Sequence, residues 1–319
     1  MPVRELKLAS GKGNRLVFKG SASPVKINKS RLAVFILAVA LLALLFLSPL
    51  HQLLRLACND QLYTEVPLVP VLCIYLIWLR RDKMPVSFEP AYKSSVILLC
   101  AGLLTFGCYW LFGRQAVPQT ENYLAWNISS FVLIFAGICC IFPGGPFMRA
   151  FACPVALLAF AVPFPTGLRQ WIETLLQHGS AVFAGLFFWL DGAPVVQDGL
   201  TFHLPDIVIQ VAPECSGIHS TVVLTIVSIA GSWLYLRSPW SRMALVLAVI
   251  PLALIRNGFR IFVIGHLCIS YGPQMIDSPI HHRGGPLFFA LSLLPFFLLL
   301  FLLRKLEGPN RKPSTEPSL

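Results

Sequence analysis

Nine stretches of the chain run with almost no charged side chain: Leu32 to Leu50, Val66 to Leu79, Ser94 to Gly113, Asn122 to Met148, Ala150 to Leu168, Thr174 to Leu190, Ser216 to Leu236, Met243 to Met275 and Gly284 to Leu303. Only Met243 to Met275 is interrupted, by Arg256 and Arg260. A hydrocarbon layer about 30 Å thick needs roughly 20 apolar residues per crossing helix, because lipid offers backbone groups no hydrogen-bond partner. A charged side chain at its centre costs about 2.5 to 3.5 kcal/mol on insertion scales. The pattern therefore predicts an all-α polytopic membrane protein whose spans are these runs. The second and sixth are short, so nine is an upper count.

The residues between the runs set direction. The first 31 residues carry Arg4, Lys7, Lys12, Arg15, Lys19, Lys26, Lys29 and Arg31 against one acid, Glu5. The stretch Arg304 to Leu319 carries Arg304, Lys305, Arg311 and Lys312. By the positive-inside rule both ends are cytoplasmic, so the number of spans is even. Counting back from the C-terminus, the last span runs inward, the arginine-bearing run runs outward, and the basic loop Arg237 to Arg242 lies inside. Cys215, just ahead of the Ser216 to Leu236 run, then falls on the outer face. That requires five of the first six candidates to span. The sixth opens with Arg169 and Glu173 and contains His178, so it reads as re-entrant or interfacial, and the short second run is the other suspect. The expectation is about eight transmembrane helices, with residues 1–31 a basic cytoplasmic tail, 32–303 the membrane-embedded domain and 304–319 a cytoplasmic C-terminal tail.

Composition sharpens this picture without changing it. Apolar residues make up 56% and charged residues 12%, about half the charged share of an ordinary soluble domain. The formal charge of +11 sits in the tail and short loops rather than on one polar face, which excludes a nucleic-acid surface. The apolar run starts only after a long basic stretch with no small-residue cleavage site, so no cleaved signal is expected. Most of the nine cysteines lie within apolar runs, where a thiol packs as a small hydrophobe, and none forms a CxxC pair or zinc spacing. Neither a disulfide framework nor a metal or other cofactor is expected.

Between Asp191 and Pro213 the pattern changes. Asp198-Gly199 is flanked by Pro194-Val195-Val196-Gln197 and Leu200-Thr201-Phe202-His203-Leu204, with Ile207 to Val211 following. An Asp-Gly pair between alternating and β-branched residues signals a hairpin, so a small extended, β-hairpin-like external cap should lead into Cys215. Cys215, in Pro213-Glu214-Cys215-Ser216-Gly217-Ile218, stands where an extended segment meets a helix N-terminus, whose positive dipole end favours a thiolate. Arg256 and Arg260 lie one helical turn apart on one face and call for a polar cavity or an interface rather than lipid. His281 and His282 stand at the outer entrance of the last span, where an imidazole can serve as base or acid. A Cys, a His and an Arg on one face supply nucleophile, base and oxyanion stabiliser for acyl transfer.

These residues resemble those of the exosortase/archaeosortase family. The segment Gly192 to Ile218 is similar to the family segment that ends in its Cys-Ser-Gly nucleophile motif. Asn257-Gly258-Phe259-Arg260 resembles its Asn-x-x-Arg motif, and His281-His282-Arg283-Gly284-Gly285 with Phe288-Phe289 resembles its His-then-Gly motif. Asn59 to Arg81 is similar to the family's second helix and its basic turn. The resemblance implies Cys215 as nucleophile, Arg260 as the motif arginine and one of His281 or His282 as the histidine, with His281 favoured by its spacing to Gly285. Arg256 receives no firm family role and is assigned to substrate binding or structure. The resemblance also implies the partners: secreted proteins bearing a C-terminal signal of a Pro-Glu-Pro-like motif, a membrane helix and a basic cluster, cleaved at the outer face of the inner membrane through a thioester. The competing classes are a transporter, disfavoured because no repeat of broken helices is visible, and a non-catalytic component of an exopolysaccharide assembly system.

Overall fold

The computed structural model describes residues 29–85, 89–113, 120–205, 207–278 and 284–308. Most of both basic tails, and His281 and His282, lie outside the described residues. Helices α1 (Lys29–Leu45) and α2 (Leu47–Asn59) are bent by 70° against each other. Pro49 has no N–H to donate to Leu45, which breaks the ladder at this bend, and the buried Phe46 packs there against Phe106 and Phe131. Helix α3 (Leu68–Leu79) is lengthened by a 3-10 turn over Gln61–Tyr63, in which the Leu62 amide donates to Asp60 Oδ1 at 2.9 Å. The extension makes a 19-residue candidate span, Gln61–Leu79, out of the short second run.

Helices α4 (Tyr92–Cys108) and α5 (Thr120–Ile141) form an antiparallel pair held by Ser95 Oγ to Gly137 O (3.0 Å) and Ser130 Oγ to Gly102 O (2.8 Å). Hydroxyls on small residues let the two backbones approach, as is common between membrane helices. Helix α6 (Gly144–Leu157) begins earlier than the charge pattern implies. The break falls at Pro143-Gly144 rather than at Arg149, because Gly144 adopts φ +86 and the Gly145 amide bonds Glu89 O at 2.8 Å. A backbone turn with its own hydrogen bond outweighs one arginine as a boundary.

Helix α7 (Thr166–Asp191) is 26 residues long yet is not apolar enough to count among the candidate spans, which fits the re-entrant or interfacial reading of the sixth run. Gly192, at φ +70, stops it in the left-handed region that glycine tolerates. A three-stranded antiparallel sheet follows: β1 (Val196–Asp198), β2 (Thr201–His203) and β3 (Val208–Gln210), paired in the order β1-β2-β3. Gln197 opposes Phe202 and Phe202 opposes Ile209. The Asp198-Gly199 turn is where the hairpin signal puts it, and the third strand adds to the expected cap.

Helix α8 (Ile218–Tyr235) leads to α9 (Pro239–Leu247) and α10 (Val249–Tyr271), and α11 (Gly285–Leu306) closes the described chain. By length and composition seven helices of the described residues can cross a membrane, or eight if the bent α1–α2 pair is one span.

The contacts sort the helix ends into two sets. Ring nitrogen Nδ1 of His219, on the first turn of α8, faces Leu62 O and Glu65 at the start of α3. Asn122 at the start of α5 bonds Thr166 at the start of α7. The opposite end of α8 meets Arg80 at the end of α3 and Glu307 at the end of α11. Helix α8 covers about 27 Å at 1.5 Å per residue. The returning stretch Pro239 to Arg256 has the same number of residues as α8, so Arg256 arrives level with the start of α8. The rest of α10 extends beyond it.

There α10 packs in parallel with α7. Ser180 meets Asn257, Ala184 lies against Gly258, Phe188 against Gly265, and Asp191 pairs with His266. A Cβ on Gly258 would lie 2.9 Å from both Ser180 O and Ala184 N, so no larger residue permits this approach. The apolar side of the sheet, with Phe202, Leu204 and Val211, closes on Phe188, Ile261, Ile264 and Cys268 as a separate small core.

Candidate active site

Cys215 ends a short 3-10 turn, Pro213–Cys215, whose last amide bonds Ala212 O at 2.9 Å. Gly217 follows at φ +74 and starts α8. A Cβ on Gly217 would stand 3.0 Å from Arg256 Nη2 and 3.2 Å from Asn257 Oδ1. Glycine is therefore required twice over, by the backbone sign and by the approach of α10.

Asn257 is the clamp between the two segments. Its Nδ2 donates to Cys215 O at 2.7 Å and to Ser180 Oγ at 3.0 Å, so one buried amide ties the Cys215-bearing turn to α7 and α10 together. Gln177 Nε2 holds the strand leading into that turn through Val211 O at 2.9 Å. Both amides are buried, where a satisfied polar network specifies one arrangement.

The thiol-bearing residue and one arginine share a cleft. Cys215, Asn257, Arg260, Ile261 and Ile264 line it together with Ile209 to Val211 of the sheet, and it encloses about 30 Å³. That is room for about one water. Arg260 and Cys215 are both half-buried. Arg256, one turn earlier, is 8% exposed, and its Nη2 lies 3.4 Å from Gly217 O, at the limit of hydrogen bonding. Its Nη1 is buried with no hydrogen-bond partner among the described residues, as is Ser216 Oγ.

Of the site residues expected from sequence, the structure brings Cys215, Arg256 and Arg260 together. The two arginines stand at the level where α8 begins, not in mid-span. His281 and His282 lie outside the described residues. Among the described residues no group of three His, Cys, Asp or Glu side chains is placed to hold a metal. Cys58 and Cys108 are exposed while Cys215 is half-buried, so exposure alone does not single out Cys215 for a thiol reagent.

Sequence reasoning missed the tasks of Asn257 and Gly217, although both stand inside the motifs it noted. It also passed over Gln177 and Ser180, and the pairing of His219 with Glu65 at 3.1 Å. Those partners are far apart in sequence, and only a shared motif position hinted at any of them.

Fold and site thus define a polytopic membrane protein with a cysteine and an arginine on one cleft at the end of its helix bundle. Residues 55–298, well over half the chain, match the transmembrane exosortase family, and the chain belongs to that family. Membership supports a membrane transpeptidase role in broad terms. No curated protein and no solved structure matches the chain significantly.

Proposed function

We propose that this exosortase is a cysteine transpeptidase that cleaves C-terminal, Pro-Glu-Pro-like sorting signals of secreted proteins at the outer face of the inner membrane. Cys215 attacks the scissile carbonyl, a thioester forms, and an acceptor nucleophile releases the substrate. Arg260 stabilises the developing oxyanion, and His281 or His282 takes the thiol proton. Arg256, with a buried and unused N–H, binds an anionic or carbonyl group of the substrate. No cofactor is needed for these steps. The partners are the signal-bearing proteins and the lipid bilayer.

The observation that carries the reading is the sharing of one cleft by Cys215 and Arg260, at the end of α8 remote from the basic turns. A nucleophile and a planar donor within one small, mostly apolar cleft is the arrangement acyl transfer requires. The basic residues Arg80, Arg81, Lys83, Arg237 and Arg242 near the other end of α8 support cytoplasmic placement of that end. An even count of eight spans then puts both termini in the cytoplasm.

The test follows the size of a tagged protein that carries a sorting signal, in membranes containing the enzyme or its Cys215→Ala variant. Processing should vanish with Cys215→Ala while enzyme abundance holds. Full processing by that variant would return the transporter and scaffold readings to first place.

A further inference from the structure

At the basic end of the bundle α1, α3, α5 and α6 line a cavity of about 480 Å³ that the transpeptidase reading does not use. Small-molecule sites run from about 300 to 1,000 Å³ and are mostly apolar. Each helix gives the cavity one face: Pro70, Cys73 and Ile77 of α3 recur at helical spacing, as do Phe135, Cys139 and Phe142 of α5. Pro154, which lines the cavity, sits inside α6 without an N–H for Ala150 O, and Phe151 ahead of it departs from helical geometry. Helix α6 therefore bends where the cavity lies.

The depth matches one leaflet. From Phe147 to Leu158 the α6 wall rises about 15 Å at roughly 1.5 Å per residue, half of a hydrocarbon layer about 30 Å thick. Leu32 on α1 and Ile74 on α3 both line the cavity and are 44% and 68% exposed, so it opens sideways between those helices. Apart from Arg31, the lining consists of apolar side chains and two cysteines. Arg31 stands where α1 begins, level with Met84 and Pro143; it is exposed and has no hydrogen-bond or ion-pair partner among the described residues. Of the bases on the neighbouring turn, Arg80 donates to Leu234 O, Arg81 lies 4.8 Å from the Trp78 ring centre, and Lys83 is offset by Asp82 beside it. Arg31 is thus the base left for a ligand at the mouth.

We infer that this cavity holds an acyl chain of an anionic phospholipid from the leaflet at the basic end, with the lipid phosphate on Arg31. Two features choose this occupant. A helix about 10 Å across needs roughly 1,200 Å³ over a depth of about 15 Å, more than twice what the cavity encloses, so a slender hydrocarbon chain fits where a peptide helix does not. The cation at the mouth calls for an anion, and basic pockets between membrane helices take acidic head groups. Residues 1–28 of this chain, rich in Lys and Arg, would bring like charge to it. The site lies at the opposite end of α8 from Cys215, so it stands whether or not the transpeptidase reading does.

The test places the full-length protein in phosphatidylcholine vesicles that carry a photoreactive acyl chain on either phosphatidylglycerol or phosphatidylcholine, and maps the adducts by peptide. Adducts on Cys73, Ile77 and Cys139 should be about fivefold more abundant from phosphatidylglycerol, the weight of one base near an acidic head group. Arg31→Gln, a change at an exposed position, should bring the two lipids level. Ile74→Trp, at the exposed rim, should block the opening and remove wall adducts from both lipids at unchanged abundance. Equal wall adducts from the two lipids in the wild type would make the contact ordinary boundary lipid and overturn the site. A preference that persists in Arg31→Gln would overturn it too, as would undiminished adducts in Ile74→Trp. Walls free of adduct in the wild type, or cleared of it by adding a tagged sorting-signal protein, would give the cavity to another occupant, the chain's own tail or the substrate.

Discussion

The two ends of helix α8 use the same kinds of residue to opposite effect. At the basic end Arg80, Arg242 and Glu307 each find partners. Arg80 donates through Nη2 to Trp233 O and, at 2.8 Å, to Leu234 O, while its guanidinium lies 4.0 Å from the Trp233 ring centre. Arg242 donates to Leu236 O through Nε at 3.0 Å and Nη2 at 2.8 Å. The Glu307 carboxylate accepts the Arg237 and Ser238 amides at 2.9 Å each. These are helix-end groups satisfied by side chains, a structural use of charge.

At the Cys215 end the accounts stay open. Arg256 Nη1 and Ser216 Oγ are buried without partners among the described residues, and a small cleft opens beside Cys215. A buried unmatched donor costs about 1 to 3 kcal/mol, which makes Arg256 Nη1 a candidate donor to a substrate group under the function proposed above. Satisfaction, rather than residue type, separates Arg80 and Arg242 from Arg256.

Substitutions at the two ends can break this contrast. The largest graded effect is expected at Arg260, where lysine keeps the charge and loses the planar donor fork, so processing should fall about 10² to 10³-fold. Arg256→Lys should be milder. Equal processing rates for the two lysine variants, measured at matched abundance, would erase the division of labour between them.

Gly217→Ala comes next. Alanine in the left-handed region costs about 1 to 2 kcal/mol, and its methyl meets Arg256 and Asn257. Processing per molecule should drop roughly tenfold as the clamp on the Cys215 turn shifts. An unchanged rate would show that the turn tolerates the displacement.

Arg80→Gln probes the closed end. Losing a charged donor to two carbonyls and a ring contact should cost about 1 to 3 kcal/mol, seen as a lower melting temperature in detergent and lower abundance. Activity per folded molecule should hold, because the residue lies at the far end of α8. A selective loss of turnover at normal stability would make this end functional after all.

The smallest effect belongs to Glu307. Desolvation pushes its carboxyl up slightly, and the amide hydrogen bonds from Arg237 and Ser238 outweigh this and hold it below the ordinary glutamate range. A depressed folded-state value means the stabilisation is present above the unfolded glutamate range and is lost as pH falls through the folded value. Glu307 is half-buried and close enough to solvent for its hydrogen bonds to be partly screened, so the loss should stay under about 1 kcal/mol and disappear in Glu307→Gln. Acid melts of the two proteins measure it.

What the sequence determined by itself was what depends on neighbours along the chain. Uncharged runs of spanning length, the basic turns, the Asp198-Gly199 reversal and the weak sixth run each express a local balance of transfer energy or backbone geometry, and each reappears in the structure. The ordered motifs around Cys215, Asn257 to Arg260 and His281 to Gly285 were legible through their resemblance to the exosortase/archaeosortase family.

Only the tertiary structure decided which atoms meet. Whether Arg256 and Arg260 lie in mid-membrane or at its edge depends on how far α10 overshoots α8, and that depends on its parallel packing against α7. The tie from Asn257 to Cys215 O, the fit of Gly217 beneath Arg256, and the pairing of Glu65 with His219 join residues from separate helices. Hydrophobic periodicity says that a helix is buried. It carries no information on which polar atom of one helix will satisfy which atom of another, because that match is made only when the helices have packed.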